Sequence, residues 1–234
     1  MKPRLFLIIF PVFLFLSSAI CFADEFEIGQ AAYKQGDYET AAAIWTKAAN
    51  KGDTVAQYNL GVMYGNGQGV PRDYNQALAW YRKAADQGHA RAQFNLGVMY
   101  GNGQGVPQDY QQALLWYGKA AAQGLALAQF NLGFMYDKGR GVPQDYSQAL
   151  AWYRRAADQG YAPAQFNLGV LYYEGHGVPK NYGEAHKWLN VAAAYSTDTD
   201  LLDRATKARD EIAKKMTAAQ IAEARKQASE WKKK

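Results

Sequence analysis

Residues 53–88 read DTVAQYNLGVMYGNGQGVPRDYNQALAWYRKAADQG, and residues 89–124 repeat them at 27 of 36 positions. The repetition continues through 125–160 and 161–196. Tyr38, Tyr74, Tyr110, Tyr146 and Tyr182 stand 36 residues apart. A period of this length marks a solenoid, in which each repeat buries its apolar face only against its neighbours.

Within a repeat the pattern predicts two helices. The first, about Ala56–Asn66, carries Ala56, Leu60 and Tyr64 on one stripe. Gly67 and Gly69 supply left-handed positions that stop the helix and turn the chain, and Pro71 prevents its continuation. Asp73 is placed to cap the second helix, with Gln76 as its capping-box partner, and the box recurs as Asp109/Gln112, Asp145/Gln148 and Asn181/Glu184. The second helix is expected to bury Tyr74, Ala77, Leu78, Tyr81, Ala84 and Ala85. Gly61, Gly97 and Gly133 are small where backbones must approach closely, opposite bulky residues such as Trp80 and Tyr81.

The flanks complete this plan. Ile28 to Trp45 reads as a further helix pair with a shorter loop. After the repeats come helices at about Thr199–Lys215 and Thr217–Trp231. Thr217/Gln220 is another capping box, and Ile221, Ala224, Ala228 and Trp231 form one apolar stripe. A solenoid needs such an end piece to cover its last apolar face.

The first residues follow a different pattern. Lys2 and Arg4 precede an apolar stretch from Leu5 to Ile20, and small residues lead to Ala23 before Asp24 and Glu25. That is the layout of a secretory signal peptide cleaved after Ala23, which implies a periplasmic or secreted protein. The same stretch is also long enough for an uncleaved anchor. The expected organisation is a signal peptide at 1–23, a helix pair at 24–52, four repeats at 53–196, and capping helices with a basic tail at 197–234. Cleavage removes Lys2 and Arg4 and so lowers the formal net charge from +5 to +3; it also removes Cys21, the single cysteine.

Composition narrows the function. Of the 234 residues 49% are apolar and 20% charged, which excludes a disordered polymer. One cysteine excludes a disulfide framework and a Cys-ligated zinc site, and three histidines leave little for metal or triad chemistry. No cofactor or metal is expected, and no enzymatic activity. Basic residues gather in the tail (Arg225, Lys226, Lys232, Lys233, Lys234) rather than along one face, so no nucleic-acid partner is expected. Gly65-Asn66-Gly67-Gln68-Gly69 is rich enough in glycine to suggest a phosphate loop, but it closes a helix instead of opening one. Ser229-x-x-Lys232 matches a penicillin-recognising motif, yet it lies in the last residues of the chain without the motif's companions. His176 and His186 are ten apart across a Gly-Pro loop, which suits no zinc motif, and His176 is expected at the surface.

The pattern Ala56-x3-Leu60-Gly61-x2-Tyr64-x2-Gly67-x-Gly69-Val70-x2-Asp73-x3-Ala77-x2-Trp80-x3-Ala84-Ala85-x2-Gly88 resembles the Sel-one-like repeat, a sub-class of the tetratricopeptide superfamily. The resemblance covers roughly residues 26–196, and the first pair, Gly29 to about Ala49, is similar to an ordinary tetratricopeptide repeat. The last repeat departs from the pattern, with Asn181 for Asp, Leu189 for Tyr and Ser196 for Gly. The resemblance implies an all-α fold, a right-handed superhelical solenoid of antiparallel helix pairs, acting as a monomeric adaptor for a protein or peptide partner. One cysteine-rich branch of the family was linked to β-lactam binding; this chain lacks those cysteines, and that property does not carry over.

The resemblance also places a second stripe of each first helix on the concave groove. Its members are Val55, Tyr58, Val62 and Gly65; Arg91, Phe94, Val98 and Gly101; Leu127, Phe130, Phe134 and Asp137; and Pro163, Phe166, Val170 and Tyr173, with Phe26, Gln30 and Tyr33 extending it. The candidate partner-binding residues are Tyr58, Arg91, Phe94, Phe130, Phe134, Lys138, Phe166 and Tyr173, because aromatic anchors dominate protein interfaces. Asn66, Asn102, Lys138 and Glu174 would add polar selectivity. The rings of Phe94, Phe130 and Phe166 also suit simple filling between repeats. A second functional class stays open, an envelope hydrolase or a carbohydrate- or peptidoglycan-binding factor.

Overall fold

The computed structural model describes residues 16–232, with side chains from residue 25 onward. Twelve α-helices and no strand occur among the described residues: α1 (Leu16–Lys34), α2 (Tyr38–Asn50), α3 (Thr54–Asn66), α4 (Tyr74–Asp86), α5 (Ala90–Asn102), α6 (Tyr110–Ala122), α7 (Ala126–Lys138), α8 (Tyr146–Asp158), α9 (Ala162–Glu174), α10 (Tyr182–Tyr195), α11 (Thr199–Ala213) and α12 (Ala218–Glu230). The chain is an all-α repeat solenoid made of consecutive helix pairs. The expected cleavage after Ala23 lies outside the residues whose side chains are described. No helix among the described residues is long and apolar enough to cross a membrane, and most of the apolar stretch from Leu5 to Ile20 lies outside them.

Contacts divide the chain into two compact bodies, Met1–Gln87 and Gly88–Lys234. In the first, α1 to α4 pack each on the next, around Ala41, Trp45, Ala48, Ala56, Leu60 and Met63. The loop between α3 and α4 shows why its glycines recur. Gly67 ends α3 at φ 71°, and Gly69, at φ 67°, lies so close to α2 that a β-carbon there would overlap the Tyr38 carbonyl, 2.2 Å from its oxygen. Asp73 then accepts hydrogen bonds from the Asn75 and Gln76 N–H groups and starts α4.

In the second body α5 to α10 repeat the scheme, and α11 and α12 both pack on α10. The deepest side chains are Trp188, Tyr153, Leu96, Leu168 and Leu189. Ala224 is buried, and Trp231 meets Trp188 and Tyr195 edge-on, with ring centres 6.3 and 4.8 Å apart.

Two local expectations are corrected. The complete capping box forms at Thr217/Gln220, whereas Asp73, Asp109 and Asp145 each cap two backbone N–H groups with one carboxylate oxygen, and Gln76 and Gln148 point outward as exposed side chains. Carboxylates satisfy the helix start alone, so the glutamine is free to face water. On the second helices Tyr74 and Leu78 are only half-buried, and Trp80 is buried in their place beneath the Lys83 ammonium, 4.0 Å from its ring centre.

A polar ladder, not anticipated from the sequence, ties successive helices together. Buried Gln129 on α7 donates to the Ala121 carbonyl at the end of α6 and accepts from Gln159, which also donates to the Gly124 carbonyl. Gln57 with Gln87 and Gln93 with Gln123 build the same pairing, each thirty residues apart. Gln165 still donates to the Ala157 carbonyl, but thirty residues later stands Tyr195, and the Gln165 carbonyl oxygen is buried without a partner.

Candidate partner-binding site

Most of the second stripe of each first helix is half-buried, while Val55, Arg91 and Leu127 on the first turns are exposed and Asp137 is buried. In the first body the Tyr58 ring tilts against Tyr81, with centres 6.0 Å apart. Phe26 stacks on Trp45, and Tyr33 packs on Trp45 while its hydroxyl donates to Gln68. These two rings, expected to extend the groove, are tied into the first helix pair.

In the second body Phe94 packs on Tyr117 at 5.7 Å and Phe130 on Tyr153 at 5.6 Å. Phe130 also meets Tyr161 edge-on, and Phe166 lies under the Arg204 guanidinium. Each phenyl ring therefore packs against a side chain of another helix or loop. Two clefts nonetheless open beside them, and Phe134 forms a wall of both. The first, about 160 Å³, lies between α5, α6 and α7 and is lined by Asn102, Tyr110, Tyr117, Asn131 and Arg140 among others. The second, about 180 Å³, brings Phe134, Lys138 and Phe166 together with Asp137, Asn167, Val170 and Glu174.

Three of the eight expected residues, Phe134, Lys138 and Phe166, thus converge on one cleft. Arg91 is exposed on the first turn of α5 and lines neither. Tyr173 lies outside both, its hydroxyl accepting a 2.6 Å hydrogen bond from the Lys215 ammonium.

Electrostatics in the clefts follow from burial. Asp137 is buried, its carboxylate 3.0 Å from the Lys138 ammonium and 3.4 Å from the Tyr153 hydroxyl that donates to it. Burial, reinforced by the Asp137 charge, holds the Tyr153 phenol well above the ordinary tyrosine range. Burial pushes Tyr117 up to about 12, partly offset by its hydrogen bond with Asn131. Both phenols are neutral at physiological pH. Asn131 and Asn167 escaped the sequence reading because asparagine is constant there (Asn59, Asn95, Asn131, Asn167), and constancy between repeats reads as framework. Arg140 was visible only as a change from Gln68 and Gln104.

The histidines sit apart from these clefts. His176, half-buried, stacks on Tyr146 at 4.2 Å with its Nδ1 3.0 Å from the Glu174 carboxylate. His186 is fully buried; burial first, then the Arg209 and Arg225 charges, holds its pKa below the usual histidine value. No group of three or more His, Cys, Asp or Glu side chains among the described residues could hold a metal ion.

Comparison with known proteins places this architecture. The pattern of the Sel1 repeat matches residues 23–53, 54–89, 90–125, 126–161 and 162–194. The chain belongs to the Sel1 repeat family. Sel1 repeats therefore number five, since the N-terminal pair read from its short loop as an ordinary tetratricopeptide unit matches as well. The crystal structure of a Sel1 repeat protein from Oxalobacter formigenes is 33% identical, with a TM-score of 0.71 over 83% of this chain and 86% of that one. The protective antigen c5321 of uropathogenic Escherichia coli, which displays an SLR fold, is 28% identical, covering 92% of this chain and 54% of its own, with a TM-score of 0.57. A Sel1 repeat protein from Klebsiella pneumoniae is 25% identical over 86% of this chain and 97% of that one, with a TM-score of 0.51. No curated protein matches the chain.

Proposed function

We propose that the chain is an exported, non-catalytic Sel1 scaffold that docks a protein or peptide partner on the face formed by its first helices. The observation that carries this reading is the pair of clefts sharing the Phe134 ring, where aromatic walls alternate with amide and charged groups. Aromatic anchors in partly desolvated pockets are where binding energy concentrates in protein interfaces. Both phenols in the clefts are held neutral, and the buried carboxylate is neutralised by its own neighbour, an arrangement that recognises rather than reacts. Chain-to-chain recognition across repeats is also the general use of this solenoid architecture.

The test is affinity capture from cell-envelope extract by the mature protein, whose first residue on N-terminal sequencing should be Asp24. Phe134→Ala should lower capture of the specific partner by about tenfold, a loss of the size seen at an aromatic anchor, with the helical circular dichroism unchanged. Undiminished capture would contradict docking on this face, and an intact Met1 in the membrane fraction would contradict export.

A further inference from the structure

We propose that the cleft holding Arg140 accepts an acidic side chain, the Asp or Glu of an extended segment of the partner. This rests on the docking reading above and adds the chemistry of one anchor residue.

The cleft is walled by Tyr110, Tyr117 and Phe134, and Asn102 and Asn131 bring amides to it. No Asp or Glu lines it. Arg140 comes from the loop between α7 and α8, its guanidinium carbon 5.1 Å from the Phe134 ring centre and 5.7 Å from that of Tyr110. A cation over aromatic rings keeps the N–H groups directed away from them for a carboxylate. No ion pair among the described residues engages Arg140. The acid on the adjoining turn, Asp137, is held by Lys138 and Tyr153 in the other cleft. The site thus carries one full positive charge, neutral hydrogen-bonding groups and no negative charge.

The repeats show that the fold does not need this cation. Gln68, Gln104 and His176 occupy the same loop position elsewhere. Gln68 there accepts from Tyr33, and His176 stacks on Tyr146 and meets Glu174. Arg140 alone brings a permanent charge with no acid of its own chain opposite it. The neighbouring cleft continues beyond Phe134 over Phe166, Val170 and Leu171, so the bound segment runs on past Arg140. A side chain within the segment therefore fits better than the carboxylate at a chain end, and an apolar residue beside it suits the second cleft.

Selection from a random peptide library displayed on phage, against the full chain, tests this directly. The expected result is enrichment of Asp or Glu next to an apolar residue, lost when selection is repeated on Arg140→Gln. That variant installs the residue two other repeats already carry, and its thermal melt should match the parent. Changing the selected peptide's acid to its amide should weaken binding roughly tenfold, the scale of one charge-assisted hydrogen bond. Peptides without an acidic residue, displaced by Phe134→Ala but not by Arg140→Gln, would overturn the proposal and leave the docking reading standing. Enrichment confined to libraries with free C-termini would overturn it in favour of a terminal carboxylate. No selected peptide at all would overturn both.

Discussion

A β-carbon at Gly97 would lie 2.6 Å from two ring carbons of Tyr117, closer than any relaxed contact permits. Gly61 faces Tyr81 in the same way at 2.5 Å, and Gly133 faces Tyr153 at 2.8 Å. The helix axis is thereby brought against a tyrosine that packs in turn on Tyr58, Phe94 or Phe130. Gly118, in the middle of α6, meets nothing within 4 Å and has an ordinary helical conformation. The two glycines should therefore respond oppositely to alanine. Gly97→Ala should cost about 1–3 kcal/mol through overpacking, although alanine is the better helix former. Gly118→Ala should gain up to about 1 kcal/mol. Urea denaturation of the two variants checks this, and shifts of the same sign would refute the packing scheme.

At the scale of helices, the glutamine ladder explains how repeats hold register as well as contact. An apolar seam alone resists separation but tolerates sliding; a buried amide that must meet a carbonyl and a second amide does not. Gln129 has both partners, whereas Gln165 has the Ala157 carbonyl alone, because α10 presents Tyr195 to Trp231 where earlier helices end in glutamine. Gln129→Leu should accordingly destabilise the fold by about 1 kcal/mol more than Gln165→Leu, since only the former also takes an acceptor from the Gln159 amide, which keeps the Gly124 carbonyl. Equal urea midpoints would show that the ladder contributes no more than its volume. The helices themselves were legible in the sequence, because period, loop glycines and an Asp or Asn cap on the second helix agree within each repeat. The ladder was not. Gln57 and Gln87 are thirty residues apart on different helices, and periodicity reports one helix face at a time. The burial of Trp80 shows the same limit, since the ring joins the core around Trp45 and Leu60 on other helices and lies beneath the Lys83 ammonium.

For the molecule as a whole, the family and the all-α solenoid followed from the residues, while the site followed only in part. Phe134 and Lys138 were legible because they differ from their counterparts in the other repeats, and Phe166 because it shares the aromatic stripe with Phe94 and Phe130. Arg91 and Tyr173 sit on that stripe too, but a stripe on paper does not say where neighbouring helices leave room. Asn131 and Asn167 line the clefts although they never vary, so framework and site overlap at the same positions. A constant scaffold with a few repeat-specific side chains suits the proposed docking role, with the proposed chemistry of recognition falling to residues such as Arg140. The most direct measurement places a photo-crosslinking amino acid at position 134 in one sample and at Leu115, exposed on α6, in another. Each is irradiated in cell-envelope extract. Docking on the first-helix face predicts a discrete crosslinked partner from position 134 and none from position 115. A partner trapped from position 115 alone would contradict it.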